Sequence, residues 1–122
     1  MILYLWIALG SALGGIARYA CQFWGARMIS DTFPWGTLIV NIVGCTIIGF
    51  FSAFATRPPY RQFVMVGILG GYTTFSSFSL ETLNLARDGQ WAKSAAYVLG
   101  SVVFCLLGVF LGNLVGIAAT EK

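Results

Sequence analysis

Residues 70–81 read Gly-Gly-Tyr-Thr-Thr-Phe-Ser-Ser-Phe-Ser-Leu-Glu, and this segment decides how the chain folds. Two adjacent glycines weaken a helix, and five hydroxyl side chains follow within seven positions, midway along a span. Backbone that leaves helical geometry inside a membrane must be buried or line a cavity, because its carbonyls need partners. The segment therefore predicts a broken membrane helix whose freed carbonyls face a cation. The alternative is a kinked helix whose hydroxyls bond back to their own backbone.

Charged residues are so sparse around this segment that four long stretches carry none. The chain has 122 residues, of which 58% are apolar and only 9% are charged, whereas a soluble domain carries about 25% charged residues. The uncharged stretches contain 17, 25, 19 and 27 residues and cover 1–17, 32–56, 62–80 and 94–120. Since about 20 apolar residues cross the hydrocarbon core, we predict an all-α membrane protein with four transmembrane helices.

Turn-forming residues set the expected helix boundaries. Pro34 suits the start of a helix, and the Arg-Pro-Pro-Tyr-Arg run at 57–61 separates two spans. The predicted helices cover 2–24, 35–55, 62–87 and 91–119, and together they form one transmembrane domain over 1–122. The first is expected to be a retained helix and not a signal peptide, because Met1-Ile-Leu-Tyr lacks a basic side chain. Short connections make consecutive helices antiparallel neighbours.

The basic residues are balanced between the two ends of the predicted helices. Three lie on each side: Arg57, Arg61 and Lys122 on that of the N-terminus, and Arg27, Arg87 and Lys93 on the other. A chain without this charge bias receives no strong instruction about its orientation. One interpretation is insertion in both orientations, with two copies pairing antiparallel. The other is that counts this small carry no information.

Polar side chains form stripes on two otherwise apolar helices. Thr37 and Asn41 are four residues apart in the second helix, and Tyr97, Ser101 and Cys105 repeat that spacing in the fourth. Such stripes either tie helices together through hydrogen bonds or line a narrow path with neutral donors.

Two aromatic residues interrupt the hydroxyl run of the third helix. Phe75 and Phe78 are three residues apart and so share one helix face. Aromatic rings have electropositive edges, so these edges could face a bare anion without a formal counter-charge. Ordinary packing in the membrane is the alternative.

Several function classes are excluded by residues that the chain lacks. It has no histidine, and its three cysteines sit singly in apolar stretches, which argues against a disulfide framework or a soft-metal site and favours a packing role. No catalytic set or phosphate-binding loop is present, so we expect no enzyme. The scattered net charge of +3 gives no sign of a nucleic-acid partner. Proton-coupled transport usually needs a buried carboxylate or histidine.

The segment 70–81 closely resembles the signature of the Fluc fluoride channels, also called CrcB proteins. The resemblance covers essentially the whole chain and includes Gly-Gly-Ile-Ala-Arg-Tyr at 14–19 and Gly-Thr-Leu-Ile-Val-Asn at 36–41. It implies a fluoride-selective passive channel that exports cytoplasmic fluoride and protects against its toxicity. It also implies an antiparallel, dual-topology homodimer with two pores in the lipid bilayer of a bacterial inner membrane.

The resemblance assigns roles to individual residues of this sequence. Those expected along the fluoride pathway are Phe75, Phe78, Asn41, Ser77, Tyr97, Ser101 and Thr37. The carbonyls of Gly70 and Thr73, two from each subunit, are expected to hold a structural Na⁺ at the dimer interface. Arg18 and Glu81 match positions near the vestibules, and Cys105 stands where some members carry a hydroxyl.

Two other functions compete with the channel. A small multidrug transporter also has four short helices. It requires a carboxylate in its first helix, however, and none lies between residues 2 and 24. A non-transporting assembly subunit of a membrane complex stays open.

Overall fold

Four helices in the described part of the chain are long and apolar enough to cross a membrane. The computed structural model describes residues 1–54 and 57–121. Three spans are single helices: α1 (Ile2–Met28), α2 (Trp35–Ser52) and α5 (Trp91–Thr120). The third consists of a π-helical segment (Gln62–Leu69), α3 (Gly70–Tyr72) and α4 (Phe75–Arg87). The prediction of an all-α membrane protein with four spans is confirmed.

The first helix is longer than the sequence predicted. It continues to Met28 and not to Trp24, which places Arg27 in its last turn. A cation there interacts favourably with the negative end of the helix dipole, and the Arg27 guanidinium lies 5.1 Å from the centre of the Phe23 ring. Ala55, the predicted end of the second helix, and Lys122 of the charge count lie outside the described residues.

Glycines bring α1 against the third span. A Cβ atom at Gly10 would collide with the Phe63 carbonyl oxygen, and one at Gly14 would collide with that of Ile68. Small residues allow such close backbone approach in lipid, where packing drives helix association. The Gly-x-x-x-Gly spacing of α1 thus serves contacts within the chain.

This packing makes a prediction about two neighbouring glycines. Replacing Gly14 with Ala should lower the thermal unfolding midpoint in detergent, because overpacking costs about 1–3 kcal/mol and the added methyl would also lie 2.9 Å from the Tyr72 amide nitrogen. Gly15→Ala is the matched control, since a Cβ there meets nothing within 4 Å. Equal midpoints for the two variants would contradict the proposed close contact.

The helices α2 and α5 run in the same direction and pack closely against each other. Glycines of α5 again permit the contact: a Cβ at Gly108 would lie 2.6 Å from Thr46 Oγ1, and one at Gly116 would lie 2.8 Å from the Ala53 Cβ. At the far end, Asn113 Nδ2 donates a hydrogen bond to Ser52 Oγ at 3.0 Å.

The buried apolar core is small and lies along α4. Its buried side chains come from α2, α4 and α5, and they are Leu38, Phe78, Leu85 and Tyr97. Most other large apolar side chains face outward, which suits a surface in contact with lipid. The core therefore lies along α4, on the side of this helix that packs against α2 and α5.

Candidate ion-pathway site

The third span leaves helical geometry at two consecutive residues. Thr73 has φ −78° and ψ 154°, and Thr74 has φ −148° and ψ 113°, so both are extended. Asn41 of α2 pairs with the backbone there on both sides: the Thr74 N–H donates to Asn41 Oδ1 at 2.8 Å, and Asn41 Nδ2 donates to the Thr74 carbonyl at 3.0 Å. One amide side chain thus replaces the hydrogen bonds that a helix would have made here.

This rearrangement takes helical donors away from three carbonyls. In a continuous helix the amides of residues 74, 75 and 77 would donate to the carbonyls of Gly70, Gly71 and Thr73. Instead the Thr74 amide donates to Asn41, and the Ser77 amide donates to Thr74 Oγ1 at 3.1 Å. The Gly71 carbonyl accepts from Arg18 Nε at 3.2 Å.

Only part of the hydroxyl run bonds back to its own helix. Thr73 Oγ1 donates to the Leu69 carbonyl at 3.1 Å, and Ser79 Oγ donates to the Phe75 carbonyl at 2.9 Å. These two bonds are those that the kinked-helix alternative requires. The Thr74 hydroxyl instead caps the N-terminus of α4, which starts a new helix.

Aromatic rings connect α4 to α5. The centre of the Phe75 ring lies 5.3 Å from that of Phe78, and the Phe78 ring lies 5.2 Å from that of Tyr97. Phe33, from the connection after α1, contacts Tyr97 edge-on at 5.5 Å. Phe78 is only 9% exposed, whereas Phe75 is 79% exposed on the chain by itself. The row of rings therefore runs from the buried core to an open surface.

Two hydroxyls of α5 are buried without hydrogen-bond partners among the described residues. Tyr97 is fully buried and Ser101 is 6% exposed, and neither hydroxyl meets hydrogen-bond geometry with a neighbour. Thr37 and Glu81 lie beside the Tyr97 hydroxyl. A buried polar group without a partner is costly, so a polar guest that paired with these hydroxyls would lower that cost.

A series of hydrogen-bonded polar side chains leads from this region to a cavity of about 610 Å³. Gln22 Nε2 donates to Thr37 Oγ1 at 2.9 Å, and Thr37 Oγ1 donates to Glu81 Oε1 at 2.6 Å. Thr37, Ser77 and Glu81 all line the cavity, which opens toward the connections that follow α1 and α4. Arg18 is absent from the described lining and lies instead at Gly71.

Three residues take part in this arrangement although they were not singled out in the sequence as site residues: Gln22, Thr74 and Gly71. Gln22 is a lone amide near the end of α1, a position that also suits an exposed interfacial residue. Thr74 carried a usable signal, since a Thr before an apolar helical run is a favoured N-cap. Gly71 gave no signal, because its contact is made by a carbonyl and depends on how α1 packs.

No group of three or more His, Cys, Asp or Glu side chains among the described residues is arranged to hold a metal ion. The other oxygen atoms at the break belong to hydroxyl groups, to the Asn41 amide and to the backbone. The carbonyls of Gly70 and Thr73 have lost their usual helical donors, because the amides of Thr74 and Ser77 donate elsewhere. Hard monovalent and divalent cations prefer such oxygen ligands.

Comparison with known proteins extends over nearly the whole chain. The family model described as "CrcB-like protein, Camphor Resistance (CrcB)" matches residues 5–113. A protein of Opitutus terrae named fluoride-specific ion channel FluC is 52% identical, with 96% of this chain and 94% of that protein covered. Proteins of the same name from Rhodospirillum rubrum and Methylocella silvestris are 49% and 46% identical; 97% of this chain is covered in both, as are 97% and 95% of the two proteins.

Proposed function

Because the chain belongs to the CrcB family, we propose that it is a fluoride-specific ion channel and not an enzyme. Relatives that match it over nearly their full length carry that name. The observation that supports the assignment most strongly is the row of rings from Phe75 through Phe78 to Tyr97, beside buried hydroxyls with no partner of their own. A second function is not needed to explain any feature of this site.

Fluoride is small and strongly hydrated, so a pathway must replace its water with closely spaced donors. Ring edges of Phe75 and Phe78 supply weak positive potential in an apolar setting. The hydroxyls of Tyr97 and Ser101 supply neutral donors, and that of Tyr97 lies beside Thr37 and Glu81. Asn41 shapes the pathway by holding the Thr74 backbone in place, and a narrow path of this kind excludes larger halides.

The cavity at the Thr37 end is the proposed vestibule. Thr37, Ser77 and Glu81 lie where the cavity meets the hydrogen-bonded polar side chains. The Glu81 carboxylate accepts a hydrogen bond from Thr37 and therefore keeps the Thr37 proton away from an incoming anion. Arg18 acts at a distance from this cavity, by bonding the Gly71 carbonyl and steadying the break.

Passive flow explains why no energy-coupling site is needed. Hydrogen fluoride is a neutral weak acid that crosses membranes from acidic surroundings and ionises in a more alkaline cytoplasm. The trapped anion then leaves down its electrochemical gradient, driven by the inside-negative potential. We assign the chain to the bacterial inner membrane as a multi-pass protein on this reasoning.

A growth experiment tests this function. Expression of the chain in a bacterium without a fluoride exporter of its own should restore growth in acidic medium that contains fluoride. The benefit should shrink at neutral pH, because less of the permeant acid enters the cell. Failure of well-expressed protein to restore growth in acidic medium would contradict a fluoride-export role.

We further propose that two copies pair antiparallel, each inserted in the opposite orientation. The interrupted third span supports this, since Phe75 is 79% exposed although a pore-lining ring should be enclosed. The exposed residues Gly70, Ser76 and Ser79 extend the same surface. A second copy would cover this polar surface, which lipid covers poorly. The balanced basic residues at the two ends permit both orientations.

Labelling with a membrane-impermeant maleimide tests dual topology. In a background without native cysteines, Gln90→Cys and Tyr60→Cys place one exposed thiol at each end of the helices. Dual insertion predicts that about half of the molecules of each variant are labelled in intact cells. Complete labelling of one variant and none of the other would establish a single orientation and overturn the proposal.

A structural Na⁺ fits the break of the third span. The carbonyls of Gly70 and Thr73 would hold it, and an antiparallel partner would contribute the same two oxygens. When bound, the ion would supply positive charge that steadies four carbonyls at the interface. Within the chain, Asn41 and Thr74 do the complementary work, because their hydrogen bonds keep the amides of residues 74 and 77 away from these carbonyls.

A further inference from the structure

The polar stripes of α2 and α5 face each other in register. Thr37, Asn41 and Cys45 follow one another at intervals of four residues on α2, and Tyr97, Ser101 and Cys105 do so on α5. The two helices run in the same direction, and a Cβ at Gly49 of α2 would collide with the Val109 carbonyl of α5. Gly49 and Val109 are as far apart in the sequence as Thr37 and Tyr97, so this close approach brings successive members of the two stripes opposite each other in turn. The stripes thus form three pairs: Thr37 with Tyr97, Asn41 with Ser101, and Cys45 with Cys105.

The third pair consists of two thiols in contact. The Cys105 side chain meets that of Cys45 across the helix interface. Both cysteines are free and partly buried. The backbone beside them is held close by Gly108, where a Cβ would lie 2.6 Å from Thr46 Oγ1. The single cysteines of two separate stretches, which in the sequence argue against a soft-metal site, are therefore held side by side by helix packing.

The ligand number and surroundings of this pair select one class of metal. Thiolates prefer soft cations, and zinc is excluded because it needs about four ligands, while no cluster of three ligating side chains exists among the described residues. A monovalent soft cation bound by two thiolates would leave a negative charge in an apolar setting, which is costly. A divalent, linearly coordinating cation such as Hg²⁺ gives a neutral product.

We propose that Cys45 and Cys105 form a two-coordinate site for Hg²⁺ and similar soft divalent cations, and that its occupation blocks the pathway. With mercuric chloride, each thiol gives up its proton, two S–Hg bonds form, and two Hg–Cl bonds break to release two molecules of HCl. No change of oxidation state occurs. The site lies four residues beyond Asn41 and Ser101, about 6 Å along the helix axes.

The position next to the break explains the expected block. Cys45 follows Gly44, where a Cβ would collide with the Thr73 side chain and lie 3.3 Å from the Tyr72 ring. A mercury atom between Cys45 and Cys105 would add bulk between α2 and α5. This bulk would lie next to the residues that shape the proposed pathway. This second half of the inference rests on the proposed channel function, whereas metal binding does not.

The experiment uses purified protein in which Cys21 is replaced by Ala. Cys21 is exposed and would otherwise bind mercury by itself. After titration with mercuric chloride, intact mass and the number of thiols that react with maleimide are measured, and fluoride release from liposomes is recorded before and after treatment. Cys45→Ser and Cys105→Ser are matched controls, each compared with its own untreated rate.

The expected result is one chloride-free mercury per chain, loss of both reactive thiols, and loss of fluoride release that a small dithiol restores. Either serine variant should keep its own release rate after treatment. Two mercury atoms per chain that each retain chloride, or two thiols left reactive, would overturn the site. Bridging mercury with unchanged release would overturn the block. Absence of release before treatment would instead contradict the channel function, while the mass measurement would still test the site.

Discussion

Replacing Phe78 with Ile should abolish fluoride release from liposomes while the protein remains folded. The Phe78 ring lies between those of Phe75 and Tyr97, at 5.3 Å and 5.2 Å between centres. Isoleucine fills similar space, so the folding cost should stay below about 1.5 kcal/mol. It has no electropositive edge to offer an anion. Phe75→Ile should have the same effect on release, because Phe75 continues the row of rings.

Phe110→Ile is the matched control for this change. Phe110 lies on α5 and is 68% exposed, so the same substitution there alters only a surface suited to lipid. Initial release rates measured with a fluoride electrode, together with elution profiles in detergent, separate the two roles of the rings. Unchanged release from Phe78→Ile would show that the rings serve packing alone.

Replacing Asn41 with Leu should abolish fluoride release and also destabilise the protein. Leucine is similar in size but leaves the Thr74 N–H and carbonyl without the partners that Asn41 supplies at 2.8 Å and 3.0 Å. Each buried backbone group left unpaired costs about 1–3 kcal/mol. The Thr74 amide would then be free to return to the Gly70 carbonyl, which would extend the preceding helix across the break.

Asn113→Leu provides the comparison, since Asn113 is also an amide within a span. Its Nδ2 bonds Ser52 Oγ at 3.0 Å, which ties α2 to α5 away from the break. This variant should lower the thermal unfolding midpoint slightly and keep fluoride release. If both asparagine variants released fluoride equally, Asn41 would be only a contact between helices.

The four spans were predictable because they depend on local composition. Uncharged stretches and prolines fix where helices cross a membrane, and 62–87 carried a further local signal in its glycines and hydroxyls. The end of α1 was less predictable, since Arg27 lies within the last turn of the helix, in contact with Phe23. The four-residue spacing of Phe23 and Arg27 is visible in the sequence. The polar connection that follows is visible too, and it favours an earlier end of the helix.

The partners across the site were not predictable from sequence. Asn41 stood out as a polar residue that must find hydrogen bonds, but its pairing with Thr74 depends on how α2 lies against the third span. Arg18 likewise donates a hydrogen bond to a backbone carbonyl. Every residue has such a carbonyl, so the residue type does not reveal the acceptor. The register between α2 and α5 is also a property of packing, although each stripe was visible alone.

Ion release from liposomes is the most direct test of whether this chain conducts fluoride selectively. Purified protein is reconstituted into liposomes loaded with fluoride and chloride, and both ions are followed with selective electrodes after the potential is collapsed by a potassium ionophore. A fluoride-selective channel should release fluoride rapidly and retain chloride. Equal release of both ions, or release of neither from folded protein, would contradict this function.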